Sequence, residues 1–368
     1  MIPQTVKLSD VCEVVMGQAP SGDSYNDEGT GFPLIAGAGD FKNGIIKVGK
    51  YTTEPTKISN VNDIVMSIRA SIGDKVWVDA GFCLGRGVAA IRASNKIDKN
   101  YLWHTLTYVE PTLISRGRGA TFLQVNKDDI KDLEIPLPPL AEQQRIAALL
   151  DTADRILKLR ELAIAKLDQL AQSVFVDMFK KHIKKLKLKD TCSFVSGGTP
   201  SKDEPNFWGG DVAWISSADI EGDHVKEIRH FVTESAINNS ATNPILPNNI
   251  LVVTRTGVGK VVVTDRKFCF SQDITGLVLQ KEFMPEFIAA SIRNKQDEIV
   301  KQARGATIKG VTRDVIANVE IPAASFLEQQ EFSEIIKKIN LQKKNFEIDR
   351  LKINDLLSSI QHQSFAVN

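Results

Sequence analysis

RGATFLQVNKDDIKDLEIPLPPLAEQQ, from Arg118 to Gln144, returns as RGATIKGVTRDVIANVEIPAASFLEQQ, from Arg304 to Gln330. Thirteen of the 27 positions are identical, at a constant offset of 186. Further matches lie on either side. KLSDVCEVVMGQAPS from Lys7 lines up with KLKDTCSFVSGGTPS from Lys187 at an offset of 180. NDIVMSIRASIG (Asn62 to Gly73) lines up with NNILVVTRTGVG (Asn248 to Gly259), and Phe82–Cys83 with Phe268–Cys269. The 368 residues are therefore one unit of about half that length written twice, which points to one task performed at two places. Between the matched frames the copies diverge: Ser21 to Asn62 is six residues shorter than Ser201 to Asn248. Frames are kept while surfaces differ.

Two textures alternate. Residues 1–140 are rich in Gly, Pro, Asn and Asp, with short β-branched runs such as NDIVMSI, KVWVDA and GVAAIRA. They read as short strands joined by turns, with a helix near Asn100 to Tyr108. Residues 190–326 read the same way, with ILVVTRTG, KVVVTD and ITGLVLQ and a helix around Pro285 to Ala303. These are two α+β domains. No Gly or Pro occurs from Ala141 to Lys189. There Leu150, Ala153, Leu157, Ile164, Leu167, Ala171, Val174 and Met178 alternate in threes and fours, a heptad seam broken by Arg160. From Leu327 the texture returns as Ile336, Ile339, Phe346, Ile353, Leu357 and Ile360, interrupted by Lys343 and Arg350.

A lone helix with one apolar stripe would face that stripe to water, so the two helices are expected to pack together. The second domain lies between them in the chain, which favours an antiparallel coiled coil with a domain at each end; self-dimerisation through each helix is the rival. The expected division is 1–140 for the first domain, 141–185 for the first long helix, 186–326 for the second domain and 327–368 for the second helix.

Composition bounds the function. With 42% hydrophobic and 25% charged residues the chain is an ordinary globular protein. No run approaches a membrane span. MIPQTVKLSD lacks the regions of a signal peptide, so the cytoplasm is the expected location. Net charge is +1, so any anion-binding surface must be a local patch; residues 141–189 carry 11 basic against 6 acidic residues. Cys12, Cys83, Cys192 and Cys269 form two equivalent pairs without CxxC spacing, and none of the five histidines recurs at the repeat offset. Small buried core residues are a better reading of them than zinc ligands, and no metal is expected.

IPLPPLAEQQRIAALLDTAD (Ile135 to Asp154), leading into a long helix, resembles the conserved region of the specificity subunit of type I restriction-modification enzymes. DIVMSIRASIG and the domain openings ending in GQAPS and GGTPS resemble it too. The resemblance covers nearly the whole chain, as target-recognition domain, conserved helix, target-recognition domain, conserved helix. The second copy departs: Ala323, Ala324 and Ser325 stand where the first has Leu137, Pro138 and Pro139, which leaves the entry of the second helix open.

The resemblance implies a DNA-reading subunit without catalytic residues or a cofactor of its own. Each domain would read one half of a bipartite, asymmetric site in double-stranded DNA. The helices would hold the domains apart and dock two methyltransferase subunits. Those partners would use S-adenosylmethionine to methylate adenine, and restriction subunits, with ATP and magnesium, would add translocation and cleavage. The residues agree in having no P-loop, no HExxH and no GxSxG; RTGVGK (Arg255 to Lys260) has the wrong spacing. Forty helical residues span about 60 Å. Domains about 35–55 Å apart would read half-sites roughly 10–16 base pairs apart, making the coiled coil a ruler.

Candidate DNA contacts follow from what repeats and what does not. Arg69 and Arg255 occupy one repeat position beside Ser or Thr in a turn. They suit phosphate or guanine, with an internal salt bridge as the equal alternative. Arg118 and Arg304, with Thr121 and Thr307, recur in RGAT; sameness argues for backbone contact or structure. Sequence readers belong where the copies differ. The candidates are Lys42, Asn43, Arg86, Arg116 and Gln124 in the first domain and Lys202, Lys226, Lys260, Lys309 and Arg313 in the second, each with solvated surface charge as its bland reading. KKHIKKLKLK (Lys180 to Lys189) is either a phosphate-facing linker or a solvated helix end. Glu142, Gln143 and Gln144, repeated as Glu328, Gln329 and Gln330, tie each helix to its domain or contact the methyltransferase; the structural role is favoured. Two other functions remain open: a scaffold binding proteins through two β-rich domains, and an enzyme with an unfamiliar motif.

Overall fold

The structure is a computed structural model that describes residues 4–42, 44–305 and 309–366, the side chain of Lys42 excepted. It divides into two compact units, Met1–Arg160 with Ile348–Asn368, and Glu161–Glu347. The two long helices, Leu140–Phe179 and Phe326–Phe365, are each shared between the units. The four-segment division expected above is thus cut differently, because each half-helix buries residues against its own domain.

In the first unit, an antiparallel sheet runs in the order Cys12–Met16, Val88–Ala93, Ile64–Ser67, Lys75–Trp77. Successive side chains leave opposite faces. Ile64, Met66, Ala89 and Ile91 enter one core with Tyr101, Leu102 and the long helices, while Val65, Val76, Val88 and Ala90 enter a second core with Ile35 and Leu84. Burial on both faces explains the unbroken apolar runs in the sequence. A second sheet orders Cys83–Leu84, Phe32–Ile35, Tyr51–Thr52 and Tyr25–Asn26, its first pair parallel. Gln4–Lys7 pairs with Glu134–Leu137 and closes the domain just before the first long helix. Ile146, Ala147 and Leu150 from the start of that helix share the core with Leu357, Ile360 and Phe365 from the end of the other, as the expected antiparallel pairing requires. Arg160, which breaks the seam, pairs with Asp349 at 3.2 Å.

The second unit repeats the frame. Its antiparallel sheet orders Cys192–Ser196, Ile274–Leu279, Ile250–Val253 and Val261–Val263. Lys185–Lys187 pairs with Glu320–Pro322. In its other sheet Trp208–Ile215 lies parallel to Phe268–Phe270 and antiparallel to His230–Val232. The longer divergent segment carries a helix, Glu234–Asn239, while its edge pairing of Pro244 with Cys269 has a counterpart in the Ile58–Cys83 bridge of the first unit. Here the end of the first long helix meets the start of the second. Phe179 packs on Phe287 at 4.9 Å between centroids and Phe175 on Phe332 at 5.6 Å. Phe175 and Phe179 lie off the heptad seam because they meet Phe287 of the domain as well as Phe332 at the start of the second helix. The second helix starts without prolines: Ser325 donates its backbone N–H (2.8 Å) and hydroxyl (2.7 Å) to the Glu328 carboxylate, a capping box in place of Pro138–Pro139.

All four cysteines are buried, as expected of small core residues. Burial pushes the Cys12 thiol up to about 12 and those of Cys192 and Cys269 up to about 11. Among the described residues, no helix is long and apolar enough to cross a membrane.

Candidate nucleic-acid interface

The described non-glycine residues with positive φ fall into two pairs at the repeat offset: Asn62 (67°) with Asn248 (60°), and Ala70 (58°) with Thr256 (52°). Left-handed backbone at residues with a Cβ is costly and persists only where its surroundings hold it. Ala70 and Thr256 directly follow Arg69 and Arg255, so the turn that presents each arginine is built the same strained way twice. Its hydrogen bonds repeat as well. Ile68 N–H donates to Gly87 O at 3.0 Å and Thr254 N–H to Asp273 O at 2.8 Å. Val125 N–H donates to Ile68 O at 3.1 Å and Val311 N–H to Thr254 O at 2.9 Å. Arg69 and Arg118 both bridge to Gln124, and Arg255 and Arg304 both bridge to Gly310. Each unit therefore gathers its two repeated arginines around one residue.

Their side chains are not equivalent. Arg69, Arg255 and Arg304 are exposed, and among the described residues none has a hydrogen-bond or ion-pair partner for its guanidinium. Arg118 instead pairs in bidentate fashion with buried Asp129, at 2.9 and 3.1 Å. Asp129 also accepts the Asn126 N–H at 2.8 Å at the start of the Lys127–Lys131 helix. At the repeat offset Asp129 becomes Val315, so Arg304 has no such clamp.

The divergent candidates separate in the same way. Arg86 is exposed without a partner among the described residues and lines, with Arg69, a cavity of about 460 Å³ walled by Gly37 and Gly39. Lys202 and Lys309 are likewise exposed and unpartnered among the described residues, and Thr121 and Gln124 are exposed. Other candidates are engaged within their domain. Arg116 donates to the carbonyls of Asp129 (2.8 Å) and Asp132 (3.4 Å). Lys260 donates to Ile220 O at 2.7 Å. Arg313 donates to Phe194 O at 2.6 Å and stacks over the Phe194 ring. Lys226 pairs with Glu221 at 2.9 Å. Asn43, Thr307 and the side chain of Lys42 lie outside the described residues. The six lysines between Lys180 and Lys189 are all exposed, with Lys180 paired to Asp177.

The repeated Glu-Gln-Gln triplets divide by position. Gln143 is 1% exposed; its Oε1 accepts the Asp98 N–H at 2.8 Å and its Nε2 donates to Pro138 O (2.9 Å) and Lys96 O (3.2 Å). Gln329 repeats this, accepting the Met284 N–H at 3.0 Å and donating to Ala324 O at 3.1 Å. Glu142 pairs with Arg145, which holds its carboxyl below the usual range. Hydrogen bonds from Ser325 do the same for Glu328, which also pairs with His182 at 3.2 Å. Gln144 and Gln330 remain exposed.

One cluster escaped the sequence reading. Lys343, a break in the second seam, is 14% exposed and bridges Asp168 (2.6 Å) of the first long helix and Asp223 (2.8 Å) of the second domain. The break itself was the signal: a lysine at a seam position needs a carboxylate.

The family described as type I restriction modification DNA specificity domain matches residues 3–169 and again 180–355. A Methanocaldococcus jannaschii protein provisionally named the MjaX type I restriction enzyme specificity subunit is 36% identical over 40% of this chain and 35% of its own length. That alignment takes in about a third of the relative. The MjaVIII specificity subunit of the same organism is 22% identical over 96% of this chain and 91% of its own. The crystal structure of a type I restriction-modification S subunit from M. genitalium superposes over 100% of both chains with a TM-score of 0.64 at 15% identity, a likeness of fold.

Proposed function

The chain belongs to the type I restriction modification DNA specificity family, and from that premise we propose how its two domains divide the reading of DNA. Each domain reads one half of a bipartite site in double-stranded DNA. Arg69 and Arg255 grip equivalent phosphates, and the divergent surfaces beside them read bases. The observation that carries this reading is the doubled, strained turn holding an exposed arginine with no protein partner among the described residues. A structural arginine would be tied down as Arg118 is; an anion-binding one is left free for its ligand.

The chain has no chemistry of its own in this reading. It seats two methyltransferase subunits that methylate adenine with S-adenosylmethionine, and restriction subunits using ATP and magnesium join them, in the cytoplasm. Two identical partners need two equivalent surfaces. Leu140 and Phe326, Gln144 and Gln330, and Leu149 and Ile335 are exposed pairs at the repeat offset on the two long helices, and they suit that role. The helix length sets the unread gap between half-sites.

The test is methylation-sensitive sequencing of DNA from cells carrying the chain with an adenine methyltransferase partner. A two-part methylated motif with a fixed gap is expected. Insertion of four residues, about one turn, into both long helices should change the gap. An unchanged gap would sink the ruler, and scattered methylation the bipartite reading.

A further inference from the structure

We propose that Arg86 and Gln272 are corresponding base readers: Arg86 selects a guanine in one half-site, and Gln272 selects an adenine at the matching place in the other. The inference rests on the DNA-reading function above and names two of its specificity determinants.

FCLGRGVAAI (Phe82 to Ile91) and FCFSQDITGL (Phe268 to Leu277) stand at the repeat offset, which pairs Arg86 with Gln272. Each lies in a short turn between two strands, Cys83–Leu84 and Val88–Ala93 in one copy, Phe268–Phe270 and Ile274–Leu279 in the other. The backbone frame is the same. The preceding residue donates its N–H to the neighbouring strand: Gly85 to Ile35 O at 2.8 Å, Ser271 to Ile215 O at 2.9 Å. The following residue accepts from the residue before the repeated arginine, Gly87 from Ile68 and Asp273 from Thr254. Gly85, Gly87 and Ser271 are buried and Asp273 is half-buried, while Arg86 and Gln272 are exposed. One side chain is therefore offered outward by an identical frame, next to the arginine assigned to phosphate, and that side chain differs between the copies. A fixed frame with a variable tip suits discrimination between bases; a phosphate contact gives no reason to vary.

The chemistry assigns the bases. An arginine fork donates two parallel hydrogen bonds to guanine O6 and N7, and a glutamine amide both accepts from and donates to adenine at N6 and N7. Arg86 has no partner among the described residues, and its cavity is open beside Gly37 and Gly39, where an added Cβ would meet nothing within 4 Å. Gln272 Oε1 accepts the Thr199 hydroxyl at 2.7 Å. That bond orients the amide and leaves a second lone pair and the NH₂ group for a base.

The test selects from a pool of duplexes with a randomised centre, using the full chain in complex with its methyltransferase partner, and sequences the bound fraction. Arg86→Gln is expected to move one position of one half-site from guanine toward adenine, a change in relative preference of roughly 5- to 150-fold. The other half-site and the salt dependence should not change. Gln272→Arg should move adenine to guanine in the other half-site, and it carries the test by itself if the Arg86 variant fails to fold. Arg86→Lys keeps the charge but loses the fork, so it should relax the position rather than switch it. Uniform weakening across all sequences, with a shallower salt slope, would make Arg86 a phosphate contact and overturn the assignment. Unchanged motifs in both variants would overturn it too. If the unaltered chain yields no two-part motif at all, the DNA-reading function falls as well, which is a different result from a two-part motif that ignores these substitutions.

Discussion

Gln143→Ala separates a structural from a partner-binding role for the repeated triplets. Gln143 is 1% exposed and holds three backbone groups: the Asp98 N–H and the carbonyls of Lys96 and Pro138. Each such bond contributes about 1 kcal/mol net, and a buried group left unpaired costs about 1–3 kcal/mol. Alanine removes all three bonds and leaves a small void, so the expected loss is about 2–4 kcal/mol. Gln329 makes two of these bonds, and Gln329→Ala should cost less, about 1.5–3 kcal/mol. Gln144→Ala, at an exposed position, should stay within about 0.5 kcal/mol. The assay is urea unfolding followed by tryptophan fluorescence, with Trp208 and Trp214 changed to Phe so that Trp77 and Trp103 report the first unit for Gln143 and Gln144, and with Trp77 and Trp103 changed instead so that Trp208 and Trp214 report the second unit for Gln329. With a urea slope of about 2–3 kcal/mol/M, the Gln143 variant should move the midpoint by roughly 1 M. An unmoved midpoint together with weakened methyltransferase association would refute the reasoning and make Gln143 a partner contact.

Arg118→Ala should cost at most about 1 kcal/mol, because the arginine of that pair is 67% exposed, whereas Arg304→Ala should leave unfolding unchanged. In salt-titrated DNA binding the order reverses: the Arg304 variant should lower the slope of log affinity against log salt by about one, the Arg118 variant by less. Lys343→Met strands Asp168 and Asp223 without their shared cation, and urea unfolding of the second unit should show a loss of about 2–3 kcal/mol; Asp168 is half in water, which keeps the figure below that of a fully buried pair. The second unit should also lose some stability as pH rises past neutrality. The Asp223 carboxylate raises the His224 pKa above its ordinary 6.5, so that contribution is complete below about 6.5 and fades as pH climbs through the raised value. Glu347 reinforces the shift and Lys343 opposes it. At Asp223 burial works upward, yet His224, Arg293 and Lys343 hold its pKa below the ordinary 3.8, so its contribution is lost only in acid. Melting of His224→Asn between pH 6 and 8 should be flatter than that of the unaltered chain; equal slopes would remove His224 as the cause.

The fold was legible because its signals are local or periodic. The strands carried β-branched runs, the helices a seam and a glycine-free stretch, and the repeat placed both domains without knowledge of either. Two features stayed hidden for a physical reason. Phe175 and Phe179 lie off the seam, and nothing in a heptad says that a helix also packs against a globular domain through another face. The compact units cut through both long helices for the same reason: Ile146 and Leu150 belong to the first core, Phe332 and Ile336 to the second. The prolines missing from the second copy raised a question about the helix entry that the Ser325–Glu328 capping box answers. The box was present in the sequence as S-F-L-E, but its value depends on Ser325 standing just outside the helix, which only the backbone settles.

The site was legible in outline and not in commitment. Whether a repeated arginine is free depends on a residue that need not repeat. Arg118 is tied because Asp129 lies across the turn from it, and Arg304 has no such tie among the described residues because that position is Val315. Identity at the arginine therefore conceals a difference in available charge. A second difference lies beside it: Arg86 has no partner among the described residues of the first domain, where the second has the neutral Gln272. Of the arginines named as candidate contacts, each domain keeps two without a protein partner among the described residues, Arg69 and Arg86 in one, Arg255 and Arg304 in the other. Affinity for a polyanion follows the number of cations available to neutralise phosphates, whereas discrimination follows where hydrogen-bonding groups meet base edges. With Arg69 for phosphate and Arg86 for a base in one domain, and Arg255 and Arg304 for phosphate and Gln272 for a base in the other, the two domains can share a way of gripping DNA while reading different bases. A duplicated chain that must bind an asymmetric site needs that combination, and a perfect repeat could not supply it.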